Sequence, residues 1–377
     1  MLARLVARDF RNFAHLDITI PESGLAIVGE NGHGKTNLLE AVAYLSLLRS
    51  QRGARDADVV RFGANVFHIR AELHGTGLFN SVTVGYERPS KKKRASLDGV
   101  DQSRLTSALG ALPSVCFSPA DVTLVAGGPG ERRRFLDVAL AISSRSYLQA
   151  LQQYRAALLR RNAALRTAQR DGPGGSSAHD ARVSVWEPAL AEHGGVVVAL
   201  RQAFVRRHSA QFTRIAEAIG ERLPVSMRYL AGTSVSDDAA IEDPGTQSAA
   251  LLAGFAQQRG QELRRGITLV GPHRDELQLL LGGRELRTFG SAGQQRSAAI
   301  ALRLLELATL RDAIGTTPLL LLDDPFAELD SGRAARVLSL LEQSGVGQVL
   351  LVVPRIEDIP AAFTRLERRV MRDGVLT

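Results

Sequence analysis

The 377-residue chain has one cysteine, Cys116, and only four lysines: Lys35, Lys91, Lys92 and Lys93. A single cysteine excludes an intrachain disulfide framework and a four-cysteine zinc site, and a buried, inert thiol is the expectation. No run approaches the roughly 18 apolar residues of a membrane span. The opening segment Met1 to Phe10 lacks the long apolar stretch of a signal peptide, so a soluble, cytoplasmic protein without a membrane partner is expected. The lysine shortage excludes something further. A guanine-specific site usually carries Asn-Lys-x-Asp, and no lysine here follows an asparagine.

What the chain does have is arginine. It supplies 43 of the 47 basic residues and sets the formal charge at +8, which favours an anionic macromolecular partner. Usage this lopsided also follows from compositional bias, so the charge carries limited weight alone. A content of 45% hydrophobic residues suffices for a sizeable core in two or three domains, and no internal repeat is present.

The most specific signal is Gly29-Glu30-Asn31-Gly32-His33-Gly34-Lys35-Thr36, a complete G-x-x-x-x-G-K-[ST] loop. It follows an apolar run, Gly24 to Val28, that reads as a buried strand, and it leads into Asn37 to Val42, which reads as a helix. In that setting backbone N–H groups close around phosphate oxygens, the helix N-terminus adds positive potential, Lys35 reaches the β- and γ-phosphates, and Thr36 holds Mg²⁺. With the guanine reader missing, ATP is the expected nucleotide.

Far downstream, Leu319 to Leu322 form an apolar run ending in Asp323 and Asp324, the form of a Walker B strand. Asp323 is placed to hold the metal with Thr36, and Asp324 to act on the attacking water. An aspartate reaches less far than a glutamate, which fits slow hydrolysis. Between the two motifs lies Ser291-Ala292-Gly293-Gln294 at the start of a helix covering Ala298 to Leu310. Alone it reads as an N-cap. The order Walker A, Ser-x-Gly-Gln, Walker B, then Glu328-Leu329-Asp330, resembles the ABC-type ATPases. That resemblance implies that Ser291, with Gly293 and Gln294, meets the γ-phosphate held by a second subunit, so one chain cannot complete a site.

The rest of the chain divides by pattern. Up to about residue 118 it reads as strands, including a hairpin of Val82 to Tyr86 and Ala95 to Val100 with a basic tip, Lys91-Lys92-Lys93-Arg94. Four adjacent cations are a candidate contact for duplex phosphates, although such runs are commonly solvated turns. Leu148, Leu151, Tyr154, Leu158 and Leu165 keep helical spacing, and after a loop at 171–177 so do Trp186, Leu190, Val197, Phe204, Phe212 and Ile219. Two long antiparallel helices are expected, then a polar interruption at 234–248 and another helix. The expected fold is α/β, an ABC-type P-loop ATPase core (1–119 and 267–377) with an inserted, mainly helical domain (120–266).

Several stretches together resemble the RecF family, bacterial recombination mediators related to the heads of SMC and Rad50 proteins. They are Phe10 to Phe13, Gly29 to Ala41, Phe117 to Asp121, Gly127 to Pro129 with Arg132 to Asp137, Gly271-Pro272-His273-Arg274-Asp275, the Ser291 segment, and Leu322 to Asp330. Ala120 and Ala292 depart from the usual family residues, a Q-loop glutamine is not placed, and no histidine follows Walker B to act as a switch. The resemblance implies an ATP-dependent homodimer clamping double-stranded DNA near gaps. It implies slow, DNA-stimulated hydrolysis, and work with RecR and RecO to load RecA where single-strand-binding protein coats the DNA. An ATP-binding dimerisation module without hydrolysis, and a transporter ATPase subunit, are the alternative readings.

Overall fold

The computed structural model describes residues 1–75, 79–171, 176–233, 241–345 and 347–377. Parts of the expected loop at 171–177 and of the polar interruption at 234–248 lie outside the described residues. The chain forms two compact units, 1–121 with 218–220 and 300–377, and 122–217 with 221–299.

The first unit contains two sheets. Leu2–Phe10 (β1), Phe13–Thr19 (β2), Val66–Leu73 (β4), Ser81–Glu87 (β5), Lys92–Leu97 (β6) and Val100–Asp101 (β7) form an antiparallel sheet in the order β2-β1-β4-β5-β6-β7. Buried positions alternate with exposed or half-buried ones along β4, β5 and the Leu16 to Thr19 part of β2, so one face lies on the core and the other towards solvent. The second sheet comprises Gly24–Val28 (β3), Ser114–Phe117 (β8), Leu319–Asp323 (β12), Val349–Val353 (β13), Glu367–Arg372 (β14) and Val375–Leu376 (β15), in the order β15-β14-β3-β13-β12-β8. It is parallel except for the β14–β15 hairpin, and β3 and β13 are buried at every position. Unbroken apolar runs such as Leu-Ala-Ile-Val suit strands covered on both faces.

Helix Lys35–Leu47 (α1) touches strands of both sheets and is buried around most of its circumference. Its sequence accordingly shows no polar stripe. Tyr44 on this helix stands edge-on to Phe67 at 5.2 Å and to Phe10 at 6.0 Å, fastening α1 to the antiparallel sheet. The expected hairpin differs at its second strand. The chain turns at Asp98-Gly99, both at positive φ, so the second strand ends at Leu97 and β7 begins a new hairpin. Asp-Gly favours that turn because both central residues need left-handed backbone. Cys116 is partly rather than fully buried, and burial still pushes its thiol pKa well up.

In the second unit, short helix Thr123–Ala126 and Pro129–Ser143 precede Arg145–Asp171, Ser176–Ser184 and Glu187–Ile219, whose last residues return to the first unit. Three cross-helix contacts set the packing of the two longest. Tyr147 meets Arg201 and Arg161 meets Glu187, while a Cβ added at Gly194 would lie 3.1 Å from Tyr154. Each step forward on one helix is an equal step back on the other, which is the expected antiparallel pair. Arg161 is fully buried between Glu187 at 2.6 Å and Glu262 at 2.5 Å. Removing one member of such a group leaves an uncompensated buried charge.

Strands Val225–Leu230 (β9), Glu276–Leu281 (β10) and Arg284–Glu285 (β11) make a small antiparallel sheet. Its pairing, Leu277 with Tyr229 for example, draws 267–299 into the helical unit, so the core segment expected from 267 is divided within Ala292–Ile314, the helix after Ser291. The Gly271 to Asp275 segment is a structural clasp here. Pro272 O accepts from Arg201 at 2.7 Å, and Asp275 accepts from the Tyr229 hydroxyl at 2.5 Å and from Gly232 N at 2.8 Å. His273 lies against Tyr154, and burial holds its pKa down at about 4, so it is neutral near pH 7.

Candidate nucleotide-binding site

The loop between β3 and α1 is fixed by residues around it. Gly29 runs so close to Met371 that a Cβ would sit 2.5 Å from the Met371 carbonyl, and Gly34, at φ +104°, leaves no room for one beside Asn12. Asp373 N donates to His33 Nδ1 at 2.9 Å and Gly374 N to His33 O at 3.0 Å, so the β14–β15 turn holds the loop tip. Asn37 donates to Asn12 Oδ1 at 2.8 Å. No side chain caps the N-terminus of α1, whose first-turn amides face the loop with no acidic residue among them. Such amides suit an anion.

Lys35 is nearly buried, and its ammonium donates to Gly29 O at 2.5 Å and Glu30 O at 2.8 Å. Burial lowers its pKa, opposed by the charges of Asp323 and Asp324. A phosphate arriving beside this desolvated ammonium would favour its charged form.

β12 lies beside β13, which lies beside β3, and this order brings the Walker B carboxylates to the loop. Thr36 Oγ1 donates to Asp323 Oδ1 at 3.1 Å across 287 residues of sequence. Burial raises the Asp323 pKa, with Thr36 and the charge of Arg52 pulling it back. The oxygens fit Mg²⁺: neighbouring ligands of an octahedron with bonds near 2.05 Å stand about 2.9 Å apart. No group of three or more His, Cys, Asp or Glu among the described residues is placed to hold a metal ion, so phosphate and water oxygens would complete the shell.

Asp324 has left-handed backbone, φ 45°, while its N–H still donates to Val352 O at 2.9 Å. The chain leaves the strand at this residue. Beyond it Asp330 caps helix Ser331–Gln343 by accepting from Arg333 N at 2.8 Å.

Ser291 lies in the other unit and is exposed. Its hydroxyl accepts from Gln294 N at 3.3 Å while Gln294 Oε1 accepts from Ser291 N at 2.9 Å, a reciprocal capping box. Gly293 follows in the first turn of the helix. Glu30 and Asn31 are exposed at the loop.

The basic run is split by the strand pleat. Lys92 and Arg94 point outward from β6 and Lys91 sits in the turn, all exposed. Lys93 points inward, 2.6 Å from Asp56, donating to Leu48 O at 2.8 Å and lying over the Tyr44 ring. The expected tip of four free cations is thus three, because alternate strand residues face opposite ways. Sequence reasoning also missed Arg52, which donates to Asn37 Oδ1 at 3.3 Å and lies 3.5 Å from the buried Glu40. Nothing local marked it; α1 had to be placed first.

A P-loop between a parallel-sheet strand and a helix, a Walker B strand whose Asp323 meets it and a helical unit carrying the Ser-x-Gly-Gln segment define an ABC-type ATPase. The RecF/RecN/SMC N terminal domain model matches residues 1–372. DNA replication and repair protein RecF of Chloroflexus aurantiacus is 36% identical, over 98% of this chain and 97% of its own. The Streptomyces avermitilis protein of the same name is also 36% identical, over 96% and 95%. A structure of the recombination mediator protein RecF-ATP in the RecFOR pathway superposes with TM-score 0.85 at 26% identity, covering 100% of this chain and 96% of the other. The chain belongs to the RecF family. An Smc head domain of Pyrococcus furiosus, at 16% identity and TM-score 0.53 over 100% and 95% of the two chains, shares the fold. No helix among the described residues is long and apolar enough to cross a membrane.

Proposed function

We propose that this chain is an ATP-gated DNA clamp of recombinational repair and a slow, DNA-stimulated ATPase. The observation that carries the reading is the meeting of Thr36 and Asp323 at 3.1 Å, which joins the phosphate loop to the Walker B strand. ATP with Mg²⁺ is the ligand that fits these groups: the loop amides and Lys35 bind phosphate, Thr36 and Asp323 hold the metal, and Asp324 orients and deprotonates water. Ser291, exposed at its helix N-terminus, meets the γ-phosphate held by a second copy. Loss of that phosphate removes a ligand shared by both chains, and the dimer opens. The closed dimer holds duplex DNA near gaps, works with RecR and RecO, and promotes RecA loading.

Ser291→Arg tests the shared site. ATP binding by the monomer is expected to persist while ATP-dependent doubling of molecular mass, read by light scattering, disappears. A role confined to the capping box would instead cost about 1 kcal/mol of stability and leave dimerisation intact. Dimers surviving in this variant would sink the shared site.

DNA binding is read from the exposed cations of the antiparallel sheet. Lys91, Lys92 and Arg94 changed together to Ser should weaken duplex binding uniformly across sequences. The dependence of log K on log salt should flatten by roughly 0.9 for each phosphate that is no longer neutralised. Lys93 is left in place because it holds Asp56. An unchanged affinity and salt slope would route the DNA over other arginines.

A further inference from the structure

The register of the antiparallel sheet aligns residues from five strands. Arg8 stands opposite His15 on one side and His68 on the other, His68 opposite Gly85, and Gly85 opposite Arg94. One row across β2, β1, β4, β5 and β6 therefore reads His15, Arg8, His68, Gly85, Arg94. Its four side chains are exposed, and none makes a hydrogen bond or ion pair among the described residues. The row holds no carboxylate. Asp17, in the next row, is already engaged by Arg4 at 2.6 and 2.7 Å.

Gly85 is the break in this row. Glycine weakens a strand interior and commonly marks a point where a ligand or backbone comes close. The fold itself does not require it. Gly85 lies outside the left-handed region, and an added Cβ would meet Phe67 O at 3.4 Å and His68 Cδ2 at 3.6 Å, ordinary contact distances. A concavity of about 270 Å³ lies over it, walled by residues that include His68, Thr83, Lys92 and Arg94 and also the acidic Glu87 and Asp101. Strands spaced by about 4.8 Å put the backbones of His68 and Arg94 about 9.5 Å apart. Their side chains can reach a tetrahedral anion between them from both sides.

We propose that the gap at Gly85 seats a backbone phosphate of duplex DNA between His68 and Arg94, with Arg8 adding positive charge from the next strand. This rests on the DNA-binding reading above. The charged and titratable groups around His68 are Arg8 with His15 beyond it, Arg70 on its own strand, Glu87 on β5, Lys92 and Arg94 on β6, and Asp101 on β7. Partial burial, then the charges of Arg8 and Arg70, hold the His68 pKa below its ordinary value, which favours the neutral ring in the free protein. A phosphate beside it favours the imidazolium. The bound state thus holds more protons than the free state, and affinity rises as pH falls from 8 towards 6.

The test is duplex binding by the ATP-loaded protein, followed by fluorescence anisotropy across pH 6 to 8 at fixed ionic strength. Gly85→Thr fills the gap with a strand-favouring residue and leaves the charge unchanged. Its melting temperature, ATP binding and dimerisation should hold while affinity falls about tenfold and the salt slope drops by about 0.9. His68→Lys should bind at pH 8 as well as the unaltered protein does at pH 6, with a flatter pH profile. Gly85→Thr binding with unchanged affinity and slope would overturn the seat, and an unaltered pH profile in His68→Lys would overturn its proton uptake. Absence of duplex binding by the unaltered protein would overturn the DNA-binding reading along with the seat, which distinguishes the two failures.

Discussion

Lys35→Met should reduce ATP affinity by about a hundredfold or more while the protein stays folded. Hydrogen bonds from a charged donor to phosphate contribute about 1.5–3 kcal/mol each, and Lys35 is the only side-chain cation in the loop. Its ammonium already sits among the loop carbonyls, held by Gly29 and Glu30, so little reorganisation precedes phosphate binding. Burial adds to the effect, because a partly desolvated cation gains more from an arriving anion than an exposed one. Methionine keeps the length and apolar stem, so the β3-loop-α1 packing should survive. Calorimetric titration with ATP, alongside circular dichroism to verify folding, measures the change. Near-normal affinity in the folded variant would remove the loop from the nucleotide site.

Asp324→Asn should act on turnover and spare binding. Losing a general base costs about 10²- to 10⁴-fold in rate, whereas the groups that hold phosphate lie elsewhere. Asparagine is the appropriate replacement because Asp324 has φ 45°, and among non-glycine residues Asn and Asp tolerate left-handed backbone best. Alanine would mix backbone strain with removal of the carboxylate. The variant should bind ATP normally, hydrolyse it slowly in a single-turnover assay, and accumulate as dimer. Hydrolysis at the unaltered rate would assign the base to another residue.

The two variants separate steps that both motifs share. On the proposed reading Lys35 acts before ATP is held, so its replacement should abolish dimerisation and hydrolysis together. On the same reading Asp324 acts only after closure. A protein that used ATP solely to dimerise would show single-turnover hydrolysis no faster than Asp324→Asn, which makes the comparison informative for the unaltered chain as well.

Local chemistry made much of the candidate nucleotide site legible in the sequence. Gly29 to Thr36 has the pattern of a loop that binds through backbone amides, with left-handed glycines spaced within one turn. The Leu319 to Asp323 strand announces itself as an apolar run ended by a carboxylate. Both patterns are complete within ten residues, so composition and spacing suffice to recognise them. The long helix pair was equally legible, since each helix repeats its apolar face at three-to-four spacing. Chain pairing decided the remainder. Thr36 meets Asp323 because β3, β13 and β12 are neighbours in one sheet. Lys93 turns from a free cation into an ion-paired core contact because the register of β6 faces it towards Asp56. The 267–299 segment joined the helical unit because its strand pairs with Val225–Leu230. His15, Arg8, His68 and Arg94, spread over some 80 residues of sequence, became one row only when five strands took their register. Short-range order follows from backbone preference and hydrophobic period, which a sequence displays directly; which distant side chains share a face depends on strand order and register, which only the folded chain sets.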